Sequence, residues 1–218
     1  MNKKYAIQQL ICAEKILPLF YHDSADTSVE VLKVLYESGI KAVEYTNRGD
    51  NALDNFTAMR KVVDDEMPGM HLGAGTIKTD ADAELFVAAG ADFIVCPVLN
   101  VDVGIIVHKA GLLWIPGCMT SSEIFIAETN GASIVKIFPG NILGPSYIPA
   151  IKELFPELMF MPTGGVEVNR ENLQSWFKAG VCAVGLGSKL ISKPDLDNKN
   201  YDKIAALSKE ALEIVQGL

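Results

Sequence analysis

The 218-residue sequence predicts an α/β fold, a single (β/α)8 TIM barrel over residues 1–218 with an additional N-terminal helix. Three observations predict it. A unit of helix, glycine and short apolar run recurs along the chain, eight such units average about 27 residues each, and no linker divides the chain. Eight units in one domain favour a closed barrel over an open doubly wound sheet, the other fold that this alternation allows.

The repeated unit is clearest in five segments, which read YESGIKAVEYT, VAAGADFIVCP, HKAGLLWIPG, ETNGASIVKIFP and FKAGVCAVGLG. In each segment the glycine can adopt the left-handed backbone that ends a helix. The apolar run after it is too short for another helix and is typical of a strand buried on both faces. Each segment therefore predicts the end of a helix and then a parallel strand.

Eight strands are predicted, at residues 16–21, 41–46, 71–75, 92–96, 112–115, 133–138, 158–162 and 181–186. Residues that favour helix N-termini predict where the helices between them begin. These are Asp26 or Thr27 for the helix that ends at Ser38, Thr79 for the one that ends at Ala89, Thr120 for the next, and Asn169 for the one that ends at Ala179.

The two ends of the chain are predicted to be helical as well. The segment YAIQQLICAEK has apolar residues at helical spacing and is expected to cover the floor of the barrel. The segment YDKIAALSKEALEIV is expected to be the eighth helix of the barrel. Its apolar face would consist of Ile204, Leu207, Ala211, Ile214 and Val215.

Composition excludes several functional classes. The formal net charge is -8 and no block of lysine or arginine stands out, so nucleic acid is not an expected partner. We expect a cytoplasmic protein without a membrane span, because no secretory signal and no run of about 18 uncharged apolar residues is present. The four cysteines, at positions 12, 96, 118 and 182, are widely separated and typical of reduced core thiols. Neither the cysteines nor the histidines have the spacing of a metal site.

Two charged residues interrupt apolar strands. Lys136 lies within SIVKIFPGN and Glu44 within AVEYT. Both belong to even-numbered predicted strands, whose inward side chains can share one layer across the barrel axis, so the two could face each other. A buried lysine must be paired, reach water or lose its proton. The pair is therefore either catalytic or a structural ion pair, and a structural pair would contribute little to stability.

Other polar residues and glycines collect where predicted strands end, which is where this fold places its active sites. PTGG follows strand seven and GLGS follows strand eight, and glycine loops at these positions often bind phosphate through backbone N–H groups. The candidates for a phosphate site are Gly164, Gly165, Gly187 and Ser188. Each loop could instead serve only as a tight turn at a barrel corner.

A second anion site is predicted after strands two and three. Arg48 and Thr76 could hold a carboxylate through a guanidinium group and a hydroxyl, although Arg48 could also be a solvated loop charge. Of the three histidines, only His22 could approach the same rim, since it follows strand one.

Six segments in this order and at these spacings resemble a known family: VEYTNR, GAGT, VKIFPGN, GPSYIPAIKELFP, PTGGV and GLGSKL. They are similar to the bacterial 2-keto-3-deoxy-6-phosphogluconate (KDPG) aldolases and their 4-hydroxy-2-oxoglutarate (KHG) relatives. The resemblance extends from about Ile16 to the last helix. It implies a homotrimeric (β/α)8 barrel and a class I aldolase that needs neither metal nor cofactor.

The resemblance also implies roles for individual residues. Lys136 matches the Schiff-base lysine and Glu44 the catalytic glutamate. The remaining matches are Arg48 and Thr76 for the substrate carboxylate, Gly164, Gly165 and Ser188 for the phosphate, and Pro97, Phe138 and Thr163 for the pocket lining. The implied reaction releases pyruvate and glyceraldehyde 3-phosphate from KDPG.

Two departures from the family pattern bear on the substrate. Strand one ends at Tyr21 where some members carry an arginine, and YTNRGDN replaces a more apolar run after Glu44. Two alternatives therefore stay open: an aldolase for KHG or a stereoisomeric keto acid, and a noncatalytic barrel that binds a phosphorylated metabolite.

Overall fold

The computed structural model describes residues 3–218, and within them the chain forms nine strands and eleven helices. The strands are β1 (Ile16–Phe20), β2 (Ala42–Thr46), β3 (His71–Gly75), β4 (Phe93–Val95), β5 (Leu113–Ile115), β6 (Gly117–Cys118), β7 (Ile134–Ile137), β8 (Met159–Pro162) and β9 (Val184–Leu186). The helices are α1 (Lys3–Glu14), α2 (Ala25–Glu37), α3 (Ala52–Glu66), α4 (Asp80–Ala88), α5 (Val101–Lys109), α6 (Ser121–Thr129), α7 (Gly140–Leu143), α8 (Tyr147–Lys152), α9 (Arg170–Ala179), α10 (Lys193–Asp197) and α11 (Tyr201–Gln216).

The strands form two sheets in which every pairing is parallel. The larger sheet has the order β5-β4-β3-β2-β1-β9, and the smaller one has the order β6-β7-β8. The two sheets adjoin where Thr163 forms an isolated parallel bridge with Gly185, and where the Cys182 N–H donates to the Phe160 carbonyl at 3.0 Å. The predicted α/β class with parallel strands is therefore confirmed.

The strand count differs from the predicted eight because strand five is divided at Pro116. Proline has no N–H to donate to a neighbouring strand. Before it, β5 pairs with β4, and after it the chain changes partner, so that β6 pairs with β7. The result is nine strands in two sheets instead of the eight predicted strands of a single barrel.

Three of the four predicted helix starts are N-caps, at Thr79, Thr120 and Asn169. The fourth prediction is wrong, because α2 begins at Ala25 and its N-cap lies two residues before Asp26. Ser24 is its N-cap, with an extended backbone and a side chain that accepts a hydrogen bond from the Thr27 N–H at 3.3 Å. A serine in this conformation satisfies an otherwise unpaired N–H of the first turn.

Helix α1 packs against the amino-terminal ends of the strands, as the sequence predicts. Its Ile7 and Ile11 are fully buried in a cluster that includes the first residues of four strands, Ala42, Phe93, Leu113 and Ile134. The opposite, carboxyl-terminal ends of the strands are thus left for the candidate site.

The predicted apolar face of the last helix also packs into the protein. Ile204, Ala211 and Val215 on α11 are buried, whereas Leu207 and Ile214 are partly buried at the edge of the same core. This core is the larger of the two apolar clusters and fills the space between the strands and the outer helices.

Three further features bear on function. Across residues 3–218, no helix has both the length and the apolar character that a membrane crossing requires. All four cysteines are free thiols, and Cys96 and Cys118 are buried. The same part of the chain contains no group of three or more histidine, cysteine, aspartate or glutamate side chains arranged to hold a metal ion.

Candidate active site

Lys136 on β7 and Glu44 on β2 meet in the interior. The Lys136 Nζ lies 3.4 Å from Glu44 Oε1, the lysine side chain is 5% exposed, and the glutamate side chain is fully buried. The second carboxylate oxygen, Oε2, is buried and accepts no hydrogen bond from the residues described. The two side chains therefore face each other, as expected from their places on the second and sixth strands predicted from the sequence.

Glycine on the neighbouring strand makes room for Glu44. A Cβ at Gly75, the last residue of β3, would lie 2.0 Å from Glu44 Oε1 and 2.4 Å from its Cγ, so only glycine fits at this position. The sequence contains this residue in the motif GAGT, but nothing in the motif indicates that the glycine provides space for a carboxylate 31 positions earlier. Its role is visible only in the structure.

An aromatic ring and a buried thiol lie near the pair. The Lys136 Nζ lies 5.5 Å from the centre of the Phe138 ring. Cys96 is close enough for its thiol to respond to the charges of both Lys136 and Glu44, and burial raises the pKa of this thiol to about 12. A thiol with so high a pKa stays protonated near neutral pH and is a poor nucleophile.

Thr76 directly follows β3 and has an unusual backbone conformation. Its φ angle is 59°, in the left-handed region that β-branched residues rarely adopt. Holding a residue there costs about 1–3 kcal/mol, and such strain is concentrated at functional sites. This observation supports the sequence-based choice of Thr76 as a site residue.

The PTGG loop after β8 brings a hydroxyl and two glycines together. Thr163 Oγ1 is buried and has no hydrogen-bond partner among the described residues, and a Cβ at Gly185 on β9 would lie 2.2 Å from it. Gly164 and Gly165 have φ angles of 93° and 71°, and a Cβ at Gly165 would lie 2.8 Å from the Asn141 Cα. The loop thus requires glycine and leaves a hydroxyl free for a ligand.

A cavity of about 290 Å³ lies beside the carboxyl ends of β1 and β9. It is lined in part by three predicted site residues, Arg48, Gly187 and Ser188. The Arg48 side chain is exposed and has no hydrogen bond or ion pair with another residue of the described chain. Lys136, Glu44 and Thr76 are not part of its lining.

The remaining predicted residue, Pro97, follows β4 and is half-buried. Its backbone approaches β6 closely, because a Cβ at Gly117 would lie 2.4 Å from the Pro97 carbonyl carbon. Gly117 is in register with Lys136 of β7. Pro97 is therefore held next to the strand that neighbours the lysine.

The cavity wall contains His22, which sequence analysis placed near this rim, and two carboxylates that it missed, Asp23 and Asp197. They line it together with Tyr21. The position of His22 after a strand was a usable signal, whereas Asp197 lies on the short helix α10, which no periodic pattern predicts.

A buried lysine and glutamate on parallel strands, with glycine loops at the strand ends, fit the active site of an α/β enzyme. The family model for KDPG and KHG aldolases matches residues 7–207. The chain belongs to the KDPG and KHG aldolase family, whose members are carbon–carbon lyases.

Individual relatives agree with this assignment. The 2-dehydro-3-deoxy-phosphogluconate aldolase of Pseudomonas aeruginosa is 32% identical over 219 residues, which cover 98% of this chain and 95% of that protein. The 2-dehydro-3-deoxy-6-phosphogalactonate aldolase of Escherichia coli K12 is 34% identical over 149 residues, 66% of this chain and 70% of that protein.

A solved structure is similar over most of the chain. It is a KDPG aldolase from Legionella pneumophila, with pyruvate captured as a covalent carbinolamine intermediate. The TM-score is 0.83, the identity is 26%, and the match covers 92% of this chain and 95% of that one.

Proposed function

We propose that this protein is a class I aldolase that cleaves KDPG to pyruvate and glyceraldehyde 3-phosphate, with Lys136 as the Schiff-base residue. The observation that carries the proposal is the buried contact of 3.4 Å between Lys136 Nζ and Glu44 Oε1. It joins a potential nucleophile to a group that can accept and return its proton. The family assignment and the carbinolamine in the Legionella relative support the same chemistry.

The reaction begins when the neutral Lys136 amine attacks the C2 ketone of the substrate. Glu44 transfers protons so that the resulting carbinolamine loses its hydroxyl as water and becomes a protonated imine. Glu44 then removes the proton of the C4 hydroxyl, the C3–C4 bond breaks, and its electrons enter the imine to give an enamine and a free aldehyde. Protonation of the enamine at C3 and hydrolysis of the imine release pyruvate and restore the lysine.

The other proposed residues orient the substrate. Arg48 and Thr76 hold the carboxylate, while Gly164, Gly165, Gly187 and Ser188 hold the phosphate, and Pro97, Phe138 and Thr163 line the pocket. The unpaired hydroxyl of Thr163 and the strained backbone of Thr76 support two of these roles. Fixing the ketone against the amine lowers the entropic part of the barrier.

The test is to trap the imine with borohydride in the presence of pyruvate. We expect one reduced pyruvate adduct, located on Lys136 by peptide mass spectrometry and absent from Lys136→Ala. Lys152→Ala and Lys189→Ala are matched controls that should retain the adduct. An adduct on Lys152 or Lys189 would overturn the assignment.

The E. coli relative named for phosphogalactonate favours a second candidate, an aldolase for a stereoisomeric 2-keto-3-deoxy sugar acid. The family also contains KHG aldolases. Pyruvate release from KDPG, its galactonate stereoisomer, KHG and the unphosphorylated sugar acid, measured with a coupled assay, separates these substrates.

We further propose that the two sheets form one closed (β/α)8 barrel and that residues 1–218 are a single domain. The contacts between β8 and β9 and the short interruption of strand five at Pro116 support this closure. We also propose a homotrimer in the cytoplasm. Exposed apolar side chains on α5 and α6 support an interface between subunits, and four free thiols suit a reducing compartment.

A further inference from the structure

His22 lies in the loop that follows β1 and lines the same cavity as Gly187 and Ser188. Its side chain is 20% exposed, so it is neither a core residue nor a free surface side chain. The cavity also contains Arg48. His22 therefore shares one cavity with two of the residues proposed to hold the phosphate and with Arg48, which is proposed to hold the carboxylate.

The backbone of His22 is held by three side chains. Its carbonyl oxygen accepts hydrogen bonds from the Tyr45 hydroxyl at 2.9 Å, the Asn55 side-chain amide at 2.9 Å and the Ser28 hydroxyl at 3.3 Å. All three side chains belong to buried residues. This network holds the His22 backbone, and with it the base of the side chain, in one position. Little conformational freedom is therefore lost when the imidazole binds a ligand.

The imidazole is also fixed in one tautomer. Its Nδ1 accepts a hydrogen bond from the Ser24 N–H at 3.0 Å, so in the neutral ring the proton is on Nε2. The nearest carboxylate oxygen, Asp197 Oδ1, is 3.7 Å from Nε2, which is too long for a hydrogen bond. The Nε2–H is thus a fixed donor without an acceptor among the described residues.

The formal charges that line the cavity balance, with Arg48 and Lys193 against Asp23 and Asp197, but two of its hydrogen-bond donors lack acceptors within residues 3–218. The two carboxylates in its wall already have partners: Asp23 accepts from the Tyr21 hydroxyl at 2.5 Å, and Asp197 is 3.6 Å from the Lys193 ammonium. Arg48 has no such partner within the described part of the chain. A ligand oxygen in the cavity could therefore accept hydrogen bonds from Arg48 and from the His22 Nε2–H, neither of which has an acceptor among the described residues.

We propose that His22 is a specificity-determining residue, which donates its Nε2–H to the terminal phosphate of the substrate. The inference rests on the proposed function, since it assumes that the phosphorylated end of the keto acid lies in this cavity. His22 plays no part in bond cleavage. It selects phosphorylated over unphosphorylated substrates.

Two substitutions of His22 distinguish the role of Nδ1 from that of Nε2. His22→Asn keeps an acceptor near Nδ1 for the Ser24 N–H but removes the donor at Nε2, and His22→Gln keeps a donor near Nε2. We expect His22→Asn to raise the KM for KDPG about ten-fold with little change in kcat, as for a lost hydrogen bond to a charged group. His22→Gln should recover most of this loss.

Two readouts distinguish binding from a structural role. The rate of pyruvate adduct formation under borohydride, and kcat/KM for the unphosphorylated sugar acid, should be the same in His22→Asn as in the unmodified protein. His108→Asn, a substitution on the outer helix α5, is a control for the loss of a histidine. The expected results support a contact between His22 and the phosphate.

Each other outcome overturns the inference. An unchanged KM for KDPG in His22→Asn means that there is no such contact, and an equal loss for both substrates or for the pyruvate adduct means that His22 only supports the fold. If the unmodified protein traps pyruvate but does not prefer the phosphorylated acid, the phosphate contact is wrong while the aldolase chemistry stands. If it traps no pyruvate, the proposed function itself has failed.

Discussion

The contact between Lys136 and Glu44 joins two ionisable groups that are almost completely removed from water. The cost of desolvating such a pair roughly offsets the attraction between its charges. The distance of 3.4 Å is also longer than the about 2.8 Å of a strong charge-assisted hydrogen bond, and Glu44 Oε2 has no partner among the described residues. The pair is better suited to moving a proton than to stabilising the fold.

For Glu44→Gln we expect pyruvate release to fall by about 10²–10⁴-fold, because the amide cannot accept the proton of the C4 hydroxyl. The amide occupies nearly the same volume, so the free energy of unfolding should change little. A coupled assay for pyruvate and a urea titration followed by circular dichroism measure the two quantities.

The opposite pattern would assign Glu44 a structural role. If Glu44→Gln unfolds the protein, or lowers its stability as much as its activity, the pair is an ion pair of the core. Glu37→Gln, an exposed substitution at the end of α2, controls for the loss of a carboxylate elsewhere.

Glu14, the last residue of helix α1, contacts the backbone at the start of strand β2. Burial raises the pKa of Glu14 to about 7, although hydrogen bonds from the backbone of Lys41 and Ala42 oppose the shift. One carboxylate oxygen, Oε2, has no partner among the described residues. The helix that covers the floor of the strands thus carries a carboxyl group that the folded protein prefers to keep protonated.

Stability should therefore depend on pH through Glu14. Between its ordinary pKa of 4.5 and its folded pKa of about 7, the folded state holds a proton that the unfolded state has lost. The contribution of Glu14 to stability is present at low pH, falls as the pH rises through this window, and is constant above it.

Glu14→Gln removes this dependence while keeping an acceptor for the two backbone N–H groups. At about pH 8 we expect it to raise the free energy of unfolding on the order of 1 kcal/mol, a modest value because partial exposure screens the effect. Thermal unfolding at about pH 5 and pH 8 measures the difference. A substitution that is equally stabilising at both values would contradict a titration of Glu14.

The outer surface of the molecule carries apolar side chains that a monomer would leave in water. Phe125 and Ile126 on α6 are 57% and 40% exposed, and Ile105 on α5 is 45% exposed. The two helices are neighbours, since His108 Nε2 lies 3.0 Å from the Asn130 carbonyl oxygen. An apolar surface of this kind fits the proposed contact between subunits.

If these residues form the interface, Phe125→Glu should convert a trimer of three 23.6 kDa chains into monomers, because a charge would be buried at the contact. Light scattering after size-exclusion chromatography measures the mass. Leu154→Glu, at another exposed apolar position, is the control and should stay trimeric. An unmodified protein that is monomeric would exclude the proposed trimer.

Local signals account for the parts of the molecule that the sequence predicts. Helix ends marked by glycine and helix starts marked by Thr79, Thr120 and Asn169 depend on hydrogen bonds within a few residues, so the chain itself specifies them. The α/β class follows from the repetition of these units. The meeting of Lys136 and Glu44, 92 positions apart, was predictable because the parity of the strands decides which side chains share a layer.

Contacts between distant segments decided the rest. The need for glycine at Gly75, the cavity shared by Arg48 and Ser188, and the network that holds His22 each depend on side chains brought together from different strands and helices. The pairing of β5 with β4 before Pro116 and of β6 with β7 after it is likewise a contact between distant segments. The sequence alone determined the class of the fold and the meeting of Lys136 and Glu44, since both follow from local periodicity. The shape of the site arises from packing, which only the tertiary structure specifies.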